Sequence, residues 1–108
     1  MIPGFQSFML PILMLLSNKK EHSLKQIIET LANDFKLTEE EKSEMLPSGT
    51  QEVFKNRVGW ATTYLKKAGL ISSPKRAFFV ITEEGMTALK SNPEKIDIAF
   101  LKNYPSFR

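Results

Sequence analysis

The chain has 108 residues, enough for one domain, and its 42% hydrophobic and 25% charged residues suit a single modest core. With no cysteine and only one histidine, His22, the sequence excludes disulfides, zinc ribbons, thiol nucleophiles and multi-histidine metal sites. The net charge is +3, but residues 53–82 contain six basic and no acidic residues, which leaves −3 for the rest of the chain.

The apolar N-terminal stretch is expected to form a core helix rather than a targeting signal. No lysine or arginine precedes the apolar run, no small-residue cleavage site follows it, and the run is too short to span a bilayer. We therefore expect a cytoplasmic protein without a membrane partner. Residues 6–17 are predicted to form a largely buried first helix, which Pro11 either kinks or begins.

Two capping signals predict the next two helices. Ser23 and Gln26 form a capping box at the start of a second helix that runs to about Phe35. A second box, "TEEE" at residues 38–41, opens a short acidic helix that ends near Leu46.

The apolar spacing of residues 54–68 predicts a long third major helix. Its buried stripe consists of Phe54, Val58, Ala61, Leu65 and Ala68. Ser48 or Thr50, in the turn "LPSGT", is expected to cap its N-terminus, and Gly69 is expected to end it in a left-handed cap.

The pattern changes to that of β-structure after the long helix. "LIS" and "AFFVIT" around "SPKR" predict a two-stranded hairpin, and Thr82 is expected to cap a final helix that Pro93 ends. Residues 1–92 are thus predicted to form one domain. Residues 93–108 are predicted to form a tail that either packs back or begins a linker.

This element order, with its short acidic helix before the long helix and its hairpin after it, is that of a winged helix-turn-helix. The predicted fold is mainly α (α+β), with a two-stranded hairpin as the wing. In that architecture the long helix enters the major groove and the wing reaches the adjacent backbone. Because the acid-free window covers this helix and this wing, duplex DNA is the predicted partner.

The candidate DNA-binding residues lie on the long helix, in the turn before it and in the wing. They are Ser48, Thr50, Gln51, Lys55, Asn56, Arg57, Gly59, Lys66, Lys75 and Arg76. At 100° per residue, Lys55 and Asn56 point outward from the first turns, where asparagine suits an adenine edge and lysine a phosphate or guanine. Gly59, also outward, would let DNA or a neighbouring helix approach closely, although a neutral glycine that the helix tolerates is also open. Lys75 and Arg76, at the wing tip, are expected on phosphates.

Some of these residues also have a structural interpretation. Arg57 lies closer to the core than Lys55, so a structural salt bridge and a DNA contact are equally open for it. Capping alone would explain Ser48 and Thr50. Trp60 and Tyr64, on one flank of the helix, could line a pocket for a modified base, but packing against the wing or the next helix is favoured.

The strings "LPSG", "NRVGWA" and "YLKKAGL", with "MLPILMLLS" and "ITEEG", resemble the N-terminal winged-helix domain of Mrr-type restriction endonucleases over nearly the whole chain. Residues 93–108 resemble the segment that leads from this domain toward a nuclease domain. The resemblance implies that the domain binds DNA, typically methylated or foreign, and that a separate nuclease domain cuts it with a divalent metal. These 108 residues are not expected to include that nuclease domain, so the chain is expected to bind without cutting and to need no cofactor. The one Glu-x-Lys string, at residues 40–42, is interpreted as a solvated helical face.

Double-stranded DNA is therefore the expected partner, with its methylation and a homodimer left open, and no small-molecule ligand is expected. Two other functions remain open. A winged-helix domain can instead dock a protein through its long helix or its tail, which the five methionines and the apolar tail support. A stand-alone transcriptional regulator would need two-fold symmetry to read a palindrome, and no heptad seam is evident.

Overall fold

Six α-helices and three short strands follow one another in the computed structural model, which describes all of residues 1–108. In chain order they are α1 (Met9–Leu15), β1 (His22–Ser23), α2 (Leu24–Asp34), α3 (Glu39–Ser43), α4 (Val53–Lys67), β2 (Ile71–Lys75), β3 (Phe78–Ile81), α5 (Glu83–Lys90) and α6 (Ile98–Leu101). Three 3₁₀ turns cover Phe5–Phe8, Leu16–Asn18 and Pro105–Phe107. None of the helices combines the length and the hydrophobicity needed to cross a membrane.

The three strands form one antiparallel sheet in the order β1-β3-β2. β2 pairs with β3, with Ile71 opposite Ile81, so the predicted hairpin is present. β1 pairs with the other edge of β3, with His22 opposite Phe79. With the helix order, this topology confirms the predicted α+β, winged-helix-like fold. β1 was not predicted, because two residues are too few to show a period of two.

The core is one apolar cluster between the helices and the sheet. It contains 22 of the 25 buried residues, so the chain has a single hydrophobic centre. The rings of Phe8 and Phe54 meet edge to face at 5.4 Å in its middle. The stripe predicted on the long helix is confirmed, since all five of its residues are buried.

The predicted first helix is present over residues 5–18, but only its middle, Met9–Leu15, is α-helical. Pro11 is the third residue of α1, where its missing N–H breaks no intrahelical hydrogen bond. It therefore marks the beginning of the α-helix, and the residues before it form a 3₁₀ turn.

The capping signals are largely confirmed. Thr38 and Glu41 form a complete box, whereas the Ser23 box forms only in part. The Gln26 amide donates to Ser23 Oγ at 3.0 Å, but the Gln26 side chain bonds the His22 ring instead of returning to the cap.

The start of α4 differs from the prediction. Its N-cap is Glu52, with no side-chain cap bond, and the hydroxyls of Ser48 and Thr50 bond each other at 2.9 Å. The reason is a tight loop closed by the pairing of Met45 with Glu52, which carries the two hydroxyl residues away from the helix end. The prediction that Ser48 or Thr50 caps this helix is therefore wrong.

The C-terminal tail packs against the helices. Ile96 and Leu101 are 1% and 0% exposed, and the amide of Ile98 donates to Gln6 Oε1 at 2.9 Å. The Asp97 carboxylate caps α6 by accepting from the Phe100 amide at 2.9 Å. This bond, assisted by a nearby lysine, holds the pKa of Asp97 below its usual range.

Candidate nucleic-acid interface

The predicted outer face of α4 is open. Its exposed or partly exposed side chains are Lys55, Asn56, Thr63, Lys66 and Lys67. Since the opposite face supplies the core stripe, the helix is clearly divided into an apolar and a polar side. Three of the ten candidate residues, Lys55, Asn56 and Lys66, lie on this open side, and Gly59 is the fourth.

A concavity of about 440 Å³ lies between α4 and the wing. Asn56, Gly59 and Thr63 border it from α4, and Ala77 and Phe79 border it from the hairpin. Its other lining residues are Leu24, Gln51, Trp60 and Thr62, and we call it the helix–wing hollow. The outer side of the helix and the wing turn therefore face one shared space.

The wing turn is fixed to the start of α2. β2 ends at Lys75, and the turn passes through Arg76 and Ala77, which adopts a left-handed φ of 62°. The Ala77 carbonyl accepts from the Leu24 amide at 2.8 Å, which anchors the short wing at its tip. Lys75 and Arg76 remain exposed beside this anchor.

The anchored wing turn lies near a further lysine, which is not among the ten candidate residues. A second groove, of about 770 Å³, is bordered by Lys25 of α2, Lys55 of α4 and Ala77 of the wing, and also by three glutamates, Glu29, Glu39 and Glu52. Lys25 is exposed and follows the residue that bonds the wing turn. No sequence signal could have placed it here, because the contact joins segments more than fifty residues apart.

The basic surface is less positive than the acid-free window indicated. Glu52 lies 3.3 Å from Lys55 Nζ, and Glu21 lies 3.8 Å from Lys75 Nζ. Both carboxylates come from outside the window but reach its lysines in space. Lys75 also sits 4.4 Å above the Phe78 ring.

Asn56 and Gln51 are joined by their side-chain amides. Asn56 Nδ2 donates to Gln51 Oε1 at 3.0 Å. Both residues border the helix–wing hollow, so the pair lies at its rim.

Arg57 makes structural contacts. Its Nη1 donates to the carbonyls of Ile2 and Pro3 at 2.8 and 3.2 Å. The guanidinium therefore ties the N-terminal segment to α4 through two carbonyls, and no carboxylate forms the salt bridge that the sequence left open.

The aromatic flank of α4 supports the termini and not the wing. Tyr64 contacts the ring of Phe5 at 5.0 Å and that of Phe107 at 5.8 Å. Trp60, 6.1 Å from Tyr64, remains 52% exposed at the edge of the hollow.

The acidic string of α3 is part of a cap. Glu41 accepts from the Met1 amino group at 2.6 Å and from the Thr38 amide at 2.8 Å. The Met1 ammonium contributes most to holding the pKa of Glu41 below its usual range, and the Thr38 backbone amide adds to this effect. Lys42 pairs with Glu39 at 2.8 Å, so these side chains serve the helix itself.

Comparison with known proteins identifies the family. Residues 5–91 match the family described as the Mrr N-terminal domain. The chain belongs to this family. Over 94 residues it is 33% identical to the type IV methyl-directed restriction enzyme EcoKMrr of Escherichia coli strain K12.

This chain spans about a third of the length of that relative. The alignment covers 86% of this chain and 31% of the Escherichia coli enzyme. No solved structure gives a significant match. The resemblance inferred from the sequence strings is thus confirmed for the N-terminal domain.

Proposed function

We propose that this Mrr N-terminal domain binds double-stranded DNA and acts as the targeting module of a restriction enzyme. The observation that carries the proposal is the helix–wing hollow, in which the polar face of α4 and the wing turn border one space. A major groove about 12 Å wide admits a helix, and the wing beside it would meet the adjacent backbone.

The proposed contacts divide by chemistry. Phosphates would be met by the exposed cations Lys25, Lys55, Lys66, Lys75 and Arg76 and by the hydroxyls of Ser48 and Thr50. Base edges would be met by Asn56, which Gln51 adjoins at the rim, with Gly59 allowing close approach. Arg57 is left out of this set, because its guanidinium is bound to the N-terminal carbonyls.

The name of the relative supports the restriction setting. EcoKMrr is called a methyl-directed restriction enzyme. We propose that methylated duplex DNA is the target of the whole enzyme and that a separate, metal-dependent nuclease domain performs the cleavage. In that division of labour the present domain binds without cutting and needs no cofactor.

The test is the salt dependence of binding to a fluorescently labelled duplex, followed by anisotropy. Each phosphate that is contacted releases counterions, so the affinity should fall steeply between about 50 and 200 mM salt. Replacing Lys75 and Arg76 by alanine should weaken binding to all sequences alike and lower the logarithmic salt slope by about two.

A matched control variant loses the same net charge at two positions that do not border the hollow. Lys90→Ala with Lys102→Ala removes two exposed cations of α5 and the tail. This pair should leave the salt slope nearly unchanged. Binding that does not respond to salt, or an equal loss in the control pair, would contradict the proposal.

A second candidate function is association with a protein. It is favoured by Trp60, an indole 52% exposed on a flank of α4, because tryptophan is enriched at protein–protein interfaces. Light scattering after size-exclusion chromatography, on the protein alone and on its mixture with duplex DNA, separates these two functions. A stable dimer that does not change the elution of the DNA would favour protein association.

A further inference from the structure

The Asn56–Gln51 amide pair leaves a defined set of groups free. Asn56 uses one of its two Nδ2 hydrogens to reach Gln51 Oε1 at 3.0 Å. An asparagine amide has two N–H donors and one carbonyl acceptor. One N–H and the Oδ1 atom of Asn56 therefore remain available at the rim of the helix–wing hollow.

The backbones on both sides of this pair are fixed. The Asn56 amide donates to the Glu52 carbonyl at 3.0 Å, within the first turns of α4. The Gln51 carbonyl accepts from the Leu46 amide at 2.9 Å, in the tight loop before the helix. In the orientation that the structure gives the Gln51 amide, its Oε1 accepts from Nδ2 and keeps that side of the Asn56 amide toward Gln51.

The free groups of Asn56 match one base. In the major groove adenine presents the N7 acceptor beside the N6 amino donor, which suits one N–H and one carbonyl oxygen side by side. Guanine presents two acceptors, N7 and O6, so Oδ1 of Asn56 would face an acceptor.

We infer that Asn56 reads the N6 and N7 edge of an adenine and that Gln51 is the positioning residue that orients its amide. This inference deepens the proposed DNA binding and depends on it. Gly59, one turn further along the border of the hollow, adds no side chain that would keep the base edge away from Asn56.

The experiment begins with selection of preferred sites from a random duplex library by the whole 108-residue chain. Each preferred adenine is then replaced in turn by 7-deazaadenine, which lacks N7, or by purine, which lacks the N6 amino group. At one position both replacements should weaken binding about 5- to 150-fold, the range of a bidentate contact. The Asn56→Ala variant should bind the unmodified site more weakly than the wild type does, and the two adenine analogues should cause no further loss of its affinity.

Variants of Gln51 separate positioning from a general structural role. Gln51→Ala should reduce the ratio of the affinity for the adenine duplex to the affinity for the analogue duplexes. The salt slope should stay the same. Gln51→Glu keeps an acceptor for Asn56 Nδ2, so the ratio should be retained although the added negative charge lowers affinity for every duplex. A general structural role would lower affinity and melting temperature without changing the ratio, and thermal melting of each variant tests this.

The outcomes distinguish this inference from the proposed function. Salt-dependent binding of duplex DNA without an adenine-dependent position, or an unchanged ratio in Gln51→Ala, overturns the inference and leaves DNA binding in place. Absence of any duplex binding overturns both.

Discussion

Two glycines within helices have opposite surroundings. A Cβ atom added at Gly85 would lie 2.2 Å from the Leu70 carbonyl oxygen and 2.6 Å from Ile81 Cγ1, so α5 can pack this closely only without a side chain there. A Cβ added at Gly59 meets nothing within 4 Å. The fold therefore requires glycine at 85 but not at 59, where an added side chain would have open space.

This contrast gives a prediction for alanine at each position. Gly59→Ala should raise the free energy of unfolding by about 1 kcal/mol, because alanine is the better helix former. Gly85→Ala should lower it by about 1–3 kcal/mol, because the backbone of Leu70 must move. Urea denaturation measures both.

The same Gly59→Ala variant should bind duplex DNA more weakly, since its methyl group projects into the helix–wing hollow. Anisotropy titrations measure this effect. Wild-type affinity in the stabilised variant would show that DNA does not come close to this part of α4.

Single residues were predictable where their partners are near in sequence. The 100° rule placed the buried stripe and outward Lys55 correctly, because both follow from the helix alone. Arg57 could not be resolved in this way, since its acceptors, Ile2 and Pro3, lie more than fifty residues away. Glu21 beside Lys75 was missed for the same reason.

The boundaries of long elements were predicted more accurately than those of short ones. α4 ends at Lys67, one residue before the predicted end, whereas the short β1 was missed and α3 ends at Ser43 instead of near Leu46. The late start of α4 depends on a backbone pairing between Met45 and Glu52, which no capping pattern encodes.

The tail is an element whose packing can be tested directly. Leu101 is fully buried, so Leu101→Ala should lower the free energy of unfolding by about 2–5 kcal/mol in urea denaturation. Lys102→Ala, an exposed neighbour on the same segment, should change it by less than about 0.5 kcal/mol. A small effect at Leu101 would mean that residues 93–108 act as a linker rather than as part of the packed domain.

At the scale of the whole molecule, charge must be counted in space and not along the chain. Glu21 and Glu52 each lie against a lysine of the proposed DNA surface, and phosphates would have to replace both carboxylates. The two ion pairs are partly exposed, so each is expected to contribute only about 0.2–1 kcal/mol.

The double variant Glu21→Gln with Glu52→Gln should therefore bind every duplex more tightly, by about 2- to 30-fold at low salt. Asp34→Asn with Glu94→Gln makes the same change in net charge at two exposed acids outside these pairs. Anisotropy titrations compare the two variants. Equal gains in both would assign the effect to net charge alone, and the two carboxylates would then have no local role.

The chain has one tryptophan, and that residue borders the space between α4 and the wing while 52% of its surface meets water. Its indole emission therefore reports the polarity of a single spot on the molecule. Anything seated there excludes solvent from Trp60 and alters the colour or intensity of its fluorescence. The domain thus contains an intrinsic optical probe, and occupancy of this face can be followed with unlabelled protein and unlabelled nucleic acid.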